Sequence, residues 1–255
     1  MKKEIRQISE DCKTVQVTIA DERWYIKTET DANGKVLSMK EYPSVTWIAD
    51  HYPKGVGFYM WLANQGWDNA ESNLHAAGNR GSKVHQAIGI LLLGNELKMD
   101  DKLRNNETGE DEAITLEEWE AIMSFSAWHN LTKPKMLANE LAVFNDELMY
   151  AGTADYICEI EGEKWLIDFK SGKDVWPSYE LQVSAYAHAL PPELKPDRLA
   201  ILQVGYKRNK AGWKLTELED KFDLFQAAQQ IWRNECSTVK VFKKDYPVSI
   251  SLSLS

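Results

Sequence analysis

The spacing of apolar residues changes character several times along the chain. Over the first forty-odd residues apolar and polar positions alternate, in Thr14-Val15-Gln16-Val17-Thr18-Ile19 and in Arg23-Trp24-Tyr25-Ile26-Lys27, and Asp31-Ala32-Asn33-Gly34 then supplies a turn. A period of two closed by such a turn predicts a small antiparallel sheet. From Ser44 to Leu93 the spacing becomes helical, with Val84, Ile88, Leu91 and Leu92 at i, i+4, i+7 and i+8. An acidic stretch around Asn105 to Asp111 reads as a loop. Thr115 with Glu118 then makes a capping box that opens a helix to about Asn130, which Pro134 helps to end.

Strand-like runs follow at 138–144, 149–160 and 163–170, separated by the turn signals Asn145-Asp146 and Glu161-Gly162. Ser178 after Pro177 is expected to cap a helix that reaches Leu190 and stops at Pro191-Pro192. Leu199 to Tyr206 reads as another strand, and a helix follows from about Glu219 to Asn234. The economical architecture is one α/β domain over 1–255, with an N-terminal β segment (1–43), a helical segment (44–135), an α/β core (136–245) and a tail (246–255).

Composition adds bounds. At 255 residues and 44% hydrophobic the chain can bury a sizeable core. The three cysteines, Cys12, Cys158 and Cys236, are far apart and odd in number, which argues against a disulfide framework and for a reducing compartment. No apolar signal core follows the first charges and no window approaches eighteen uninterrupted apolar residues, so a soluble intracellular protein without a membrane partner is expected. A formal net charge of -9 argues against non-specific coating of nucleic acid. Much of that charge, however, is concentrated between Asp100 and Glu120. The basic, aromatic run from Tyr206 to Lys214 suits either a phosphate backbone or a solvated hairpin.

Chemistry gathers in the strands. In Lys164-Trp165-Leu166-Ile167-Asp168-Phe169-Lys170 alternation puts Trp165, Ile167 and Phe169 on one face and Leu166, Asp168 and Lys170 on the other. Gly152-Thr153-Ala154-Asp155 brings a second carboxylate onto the neighbouring strand, returned antiparallel by the Glu161-Gly162 turn. Two acids and a lysine suit phosphodiester hydrolysis, in which carboxylates hold divalent cations and a lysine orients water or offsets transition-state charge. Asp168 and Lys170 alone describe an ordinary strand-edge ion pair better than a metal site. Gln182 and Tyr186, four apart on the next helix, share one face near the end of the Lys170 strand, and Tyr179 extends that face.

The ordered set Gly152-Thr153-Ala154-Asp155, Asp168-Phe169-Lys170 and Gln182-Val183-Ser184-Ala185-Tyr186 resembles the PD-(D/E)XK nuclease superfamily. Its terminal Gln-x-x-x-Tyr is similar to the RecB-like branch, as is Arg80-Gly81-Ser82-Lys83-Val84-His85, a helix histidine behind an Arg-Gly pair. The motif-bearing resemblance runs from Arg80 to Tyr186, and Tyr42-Pro43-Ser44-Val45-Thr46 looks like the lead-in of phage and mitochondrial-type members. The resemblance implies a restriction-endonuclease-like core: a central mixed β-sheet flanked by helices, behind an N-terminal hairpin and helical extension. It implies Mg2+ or Mn2+ held by His85, Asp155, Asp168 and the main-chain carbonyl of Phe169, with Lys170 as the catalytic lysine. Glu140 matches a strand glutamate that holds a second metal or activates water, and is equally read as a solvent-facing strand residue. Gln182 and Tyr186 would support the site and contact the DNA strand. Iron-sulfur members of the branch use four cysteines, so no cluster is expected here, and no helicase phosphate-binding loop occurs.

The resulting expectation is a metal-dependent deoxyribonuclease, an exonuclease acting on DNA ends in recombination, repair or DNA degradation, with a recombination protein as a candidate partner. Two alternatives stay open: a non-catalytic DNA- or protein-binding accessory on the same fold, and a structure-specific endonuclease.

Overall fold

The computed structural model describes residues 3–8, 14–19, 22–106 and 108–241; Cys12 and the 246–255 tail lie outside them. The alternating N-terminal segment forms a four-stranded antiparallel sheet in sequential order: β1 (Lys3–Gln7), β2 (Thr14–Ile19), β3 (Glu22–Thr30) and β4 (Val36–Pro43). At the turn between β3 and β4, Asp31 Oδ1 accepts from the backbone of Asn33 and Lys35, both at 2.9 Å, and Gly34 adopts φ 80°. This is the local bonding that makes Asp and Gly turn residues.

The helical spacing from Ser44 to Leu93 corresponds to three helices: α1 (Val45–Ala49), α2 (Val56–Gln65) and α3 (Trp67–Leu92). Gly66, at φ 75°, ends α2 and starts α3, a conformation that L side chains resist. No residue of α2 is buried, and Tyr59, Met60 and Trp67 are exposed. The buried part of α3 is concentrated in its second half, at Lys83, Val84, Ala87 and Ile88.

A short hairpin of β5 (Lys102–Arg104) and β6 (Asp111–Ala113) occupies the acidic stretch. Next comes α4 (Leu116–Thr132), whose capping box is complete: Thr115 Oγ1 accepts from Glu118 N and Glu118 Oε2 accepts from Thr115 N. Then β7 (Lys135–Asn145), β8 (Tyr150–Ile160) and β9 (Glu163–Lys170) run antiparallel in turn. Glu161 and Gly162 both take positive φ in the two-residue β8–β9 turn, which matches the right-handed twist of the strands it joins.

The chain continues as α5 (Pro177–Ala189), β10 (Arg198–Val204), β11 (Trp213–Leu218) and α6 (Phe222–Glu235). The start of α5 differs from expectation. Trp176 is the N-cap and makes no side-chain cap bond, while Pro177 and Ser178 are already helical. Proline's fixed φ and missing N–H suit the first helical position, so no Ser178 cap forms.

The central sheet has the order β11-β10-β9-β8-β7 and is mixed, because β10 pairs parallel to β9 while the other three neighbouring pairs are antiparallel. The chain is therefore a mixed α/β protein with several sheets. The alternation in β9 sorts the two cores. Ile167 and Phe169 pack with Val84, Ile88, Phe125 and Trp128 from α3 and α4. Leu166 packs with Ile48, Leu181, Ala185 and Phe225 from α1, α5 and α6, a core that also takes Trp24 of the N-terminal sheet. Cys158 and Cys236 are free thiols. No helix among the described residues is long and apolar enough to cross a membrane.

Candidate metal centre

The site opens where two strands part. The last β8–β9 ladder pair on this side is Tyr156 with Ile167. A strand residue sends its N–H and C=O to the same edge, so beyond that pair both groups of Phe169 face a gap rather than a β8 partner. Side chains take them instead. Asp155 Oδ2 accepts from Phe169 N at 2.8 Å, and His85 Nε2 lies 2.9 Å from Phe169 O. A carbonyl only accepts, so Nε2 carries a proton and Nδ1 is left facing Asp155 Oδ1 at 3.5 Å.

Two contacts hold α3 in the position from which His85 reaches this gap. Arg80 bonds Glu117 at 3.0 Å, and the buried Lys83 ammonium sits 2.9 Å from Glu118 and 3.5 Å from Glu112. The Arg-Gly-x-Lys-x-His run therefore has a structural half, which ties α3 to α4, and a chemical half at His85.

Glu140 enters from β7. Asn139 and Leu141 pair with Tyr156 and Ala154, so Glu140 stands opposite Asp155 at φ 49°. A non-glycine residue held in this region is strained, and strain of this kind gathers at functional sites. One ligand atom from each of His85, Glu140 and Asp155 lies within 4.8 Å of the other two.

Asp168 is not part of that group. Its Oδ2 is 2.6 Å from Lys170 Nζ, and its Oδ1 accepts from Gln182 Nε2 at 3.3 Å. Oδ2 is buried, and the ammonium is its ion-pair partner. Gln182 Nε2 also donates to Tyr186 Oη at 2.8 Å, and Lys170 Nζ sits over the Tyr179 ring, 4.5 Å from its centroid. The side chains expected at the metal and catalytic site thus lie around one place, but in two adjoining sets: His85, Glu140 and Asp155 in the gap, and Asp168, Lys170, Gln182 and Tyr186 beside it.

Burial pushes Asp168 up to about 6, against the pull of Lys170. Burial and the Asp155 charge likewise raise Glu140, opposed by His85 and Arg6. Burial alone would lower His85, but the Asp155 carboxylate outweighs it and raises the imidazole to about 9. Asp155 moves the other way: His85, Lys170 and the Phe169 amide overcome burial and hold it below the usual range. Burial is the first cause of both raised carboxyls, so the site keeps its acids away from water. One imidazole nitrogen with carboxylate and carbonyl oxygens is a donor set that fits Mg2+ or Mn2+.

The Tyr206–Lys214 run spans the loop between β10 and β11 and the first two residues of β11, and two of its basic groups are already paired: Lys207 with Glu117 at 2.9 Å and Arg208 with Asp174 at 3.0 Å. One cation at the site was not singled out from the sequence. Arg6 of β1 places Nη2 3.7 Å from Glu140 Oε2. No local pattern signals it, because its position depends on how the N-terminal sheet docks.

No family model and no curated protein matches the chain. Among solved structures, the crystal structure of SSO0001 aligns with a TM-score of 0.33 and 10% identity, over 49% of this chain and 61% of that one. The chain thus spans about three fifths of that protein's length, and a likeness of this degree carries no argument about activity.

Proposed function

We propose that the protein is a divalent-metal-dependent deoxyribonuclease that hydrolyses phosphodiesters, built on a restriction-endonuclease-like core of β7 to β10 with α5, and working as an exonuclease on DNA ends. The observation that carries this reading is the convergence of His85, Glu140 and Asp155 at a strand gap next to a buried Lys170–Asp168 pair. An ordinary strand-edge ion pair needs neither the strained glutamate nor the histidine.

In this reading His85, Asp155 and Glu140 hold Mg2+ or Mn2+, with the Phe169 carbonyl and Asp168 at its margin. A divalent ion bound there would supply positive charge to the scissile phosphate and make a water more acidic. Lys170 is held by Asp168 and by the face of Tyr179, so its ammonium is fixed before substrate arrives. From there Nζ donates to the attacking water or to a non-bridging phosphate oxygen. Gln182 keeps Asp168 from turning away, and Tyr186 keeps Gln182 in place.

The test is digestion of 5'- and 3'-end-labelled linear and closed circular DNA, single- and double-stranded, with Mg2+ or Mn2+. Cleavage of linear but not circular DNA is expected, lost in Asp155→Asn and Lys170→Met. Intact linear and single-stranded DNA, or Asp168→Ala and Lys170→Ala proteins that cut like wild type, would overturn the reading.

A further inference from the structure

Arg6 reaches the acidic cluster from a different sheet, and the way it arrives is specified. Arg6 lies opposite Gln16, Gln16 opposite Tyr25, and Tyr25 opposite Tyr42, so one row of four side chains crosses one face of the N-terminal sheet. The row is anchored at its inner end. Tyr25 Oη is 3.0 Å from Thr153 Oγ1 and accepts from Gln16 Nε2 at 2.8 Å, and Tyr42 Oη donates to Asp146. Thr153 is two residues before Asp155 on the same strand. Tyr25 and Tyr42 are buried. The sheet therefore sits in a fixed relation to the site, and its outer residue is delivered there.

The Arg6 side chain is 64% exposed and touches Glu140 through one nitrogen at 3.7 Å. That contact is too long for a bidentate carboxylate pair, and among the described residues the guanidinium makes no hydrogen bond, so its donors are open to solvent at 64% exposure. A planar fork of donors held beside metal-ligating acids, in a protein of net charge -9, is suited to an anion that must enter against repulsion.

We propose that Arg6 is a substrate-binding residue whose guanidinium takes the non-bridging oxygens of a DNA phosphate lying over the cluster, with the N-terminal sheet forming one wall of the site. This rests on the nuclease reading above. Lys170 and Arg6 then flank the acids and meet the backbone from two sides.

The experiment compares wild type, Arg6→Gln and Arg6→Lys. Binding of a labelled single-stranded oligonucleotide is read by fluorescence anisotropy across a salt series in EDTA, Mn2+ uptake by calorimetry, and cleavage by steady-state kinetics. Arg6→Gln should raise Kd and KM about tenfold, the scale of one charge-assisted hydrogen bond. It should also flatten the slope of log K against log salt by about 0.7, one phosphate contact on a single strand. kcat should stay within about twofold, and any change in Mn2+ affinity, through Glu140, should be smaller than the change in Kd read in EDTA. Arg6→Lys should recover part of Kd and the whole slope. If wild type cuts DNA and Arg6→Gln matches it in Kd, KM and slope, the phosphate contact is refuted while the nuclease reading survives. The contact is equally refuted if Arg6→Gln changes only Mn2+ affinity, because Arg6 then merely neutralises Glu140. If wild type does not cut but Arg6→Gln still weakens binding and flattens the slope, the nuclease reading fails and the phosphate site stands.

Discussion

The ring of Tyr186 occupies the space that a side chain at Gly152 would need: a β-carbon built on Gly152 meets Tyr186 Cε1 at 2.2 Å. The glycine therefore lets α5 lie close against β8, and Tyr186 from that position takes its bond from Gln182, which in turn bonds Asp168. Gly152→Ala should push the ring out and cost about 1–3 kcal/mol, the usual range for overpacking. Turnover should fall with it, because Gln182 loses its support. Adding Tyr186→Ala to Gly152→Ala should cost less than the sum of the two single changes, since the clash is then gone. Chemical denaturation of the four proteins gives the coupling, and strict additivity would show that the contact carries no strain.

Asp155 has two separable duties. One is charge beside His85; the other is acceptance of the Phe169 amide left open where β8 and β9 part. Asp155→Asn keeps an acceptor for the Phe169 amide but gives up the charge that raises His85, so its loss of stability should be confined to pH below about 9, while divalent-metal binding falls at least tenfold. Asp155→Leu leaves the buried N–H unmade and should lose about 1–3 kcal/mol in addition. Calorimetric metal titration and urea melts of both variants check the split; equal stability would mean that the amide finds water.

The raised imidazole of His85 gives a signed pH dependence in the metal-free protein. Its folded pKa, about 9, lies above the ordinary value of 6.5, so the folded state holds the proton more tightly than the unfolded chain. The stabilisation is fully present below about pH 6.5 and is lost as pH rises through about 9. It is on the order of 3 kcal/mol. Urea melts in EDTA at pH 6 and pH 9.5 should therefore show a larger drop for wild type than for His85→Gln. The same drop in both would place the titration elsewhere.

Much of this site was legible because its signals are local. Alternation in β9 separated Asp168 and Lys170 from Ile167 and Phe169, and the two faces enter different cores. Glu161-Gly162 announced a tight antiparallel return, and Thr115 with Glu118 announced a helix start. The rest depends on contacts between distant segments. A period of two gives no warning that Glu140 takes positive φ, or that the ladder stops at Tyr156 and leaves the Phe169 groups to side chains. Spacing sets Asp168 beside Lys170, but that Asp168 stays outside the His85 group is a choice among side-chain partners that spacing does not encode. Arg6 is the extreme case, since its position follows from the docking of Tyr25 on Thr153, 128 residues along the chain.

Lys83 and Glu118 make the clearest case for a pair whose loss differs from its replacement. Both are buried, at 4% and 3% exposure, with Nζ 2.9 Å from Oε1, and Glu118 also closes the α4 capping box. Lys83→Met removes the cation and leaves a carboxylate in the interior, which should cost about 3–5 kcal/mol. Lys83→Met with Glu118→Gln removes both charges while glutamine still reaches the Thr115 amide, so the double variant should regain most of that loss. Because α3 carries His85, the single variant should also weaken metal binding and the double variant should restore it. Denaturant melts alongside Mn2+ titrations decide the point. A double variant as unstable as Lys83→Met would mean that the pair contributes attraction well beyond the cost of burying its charges.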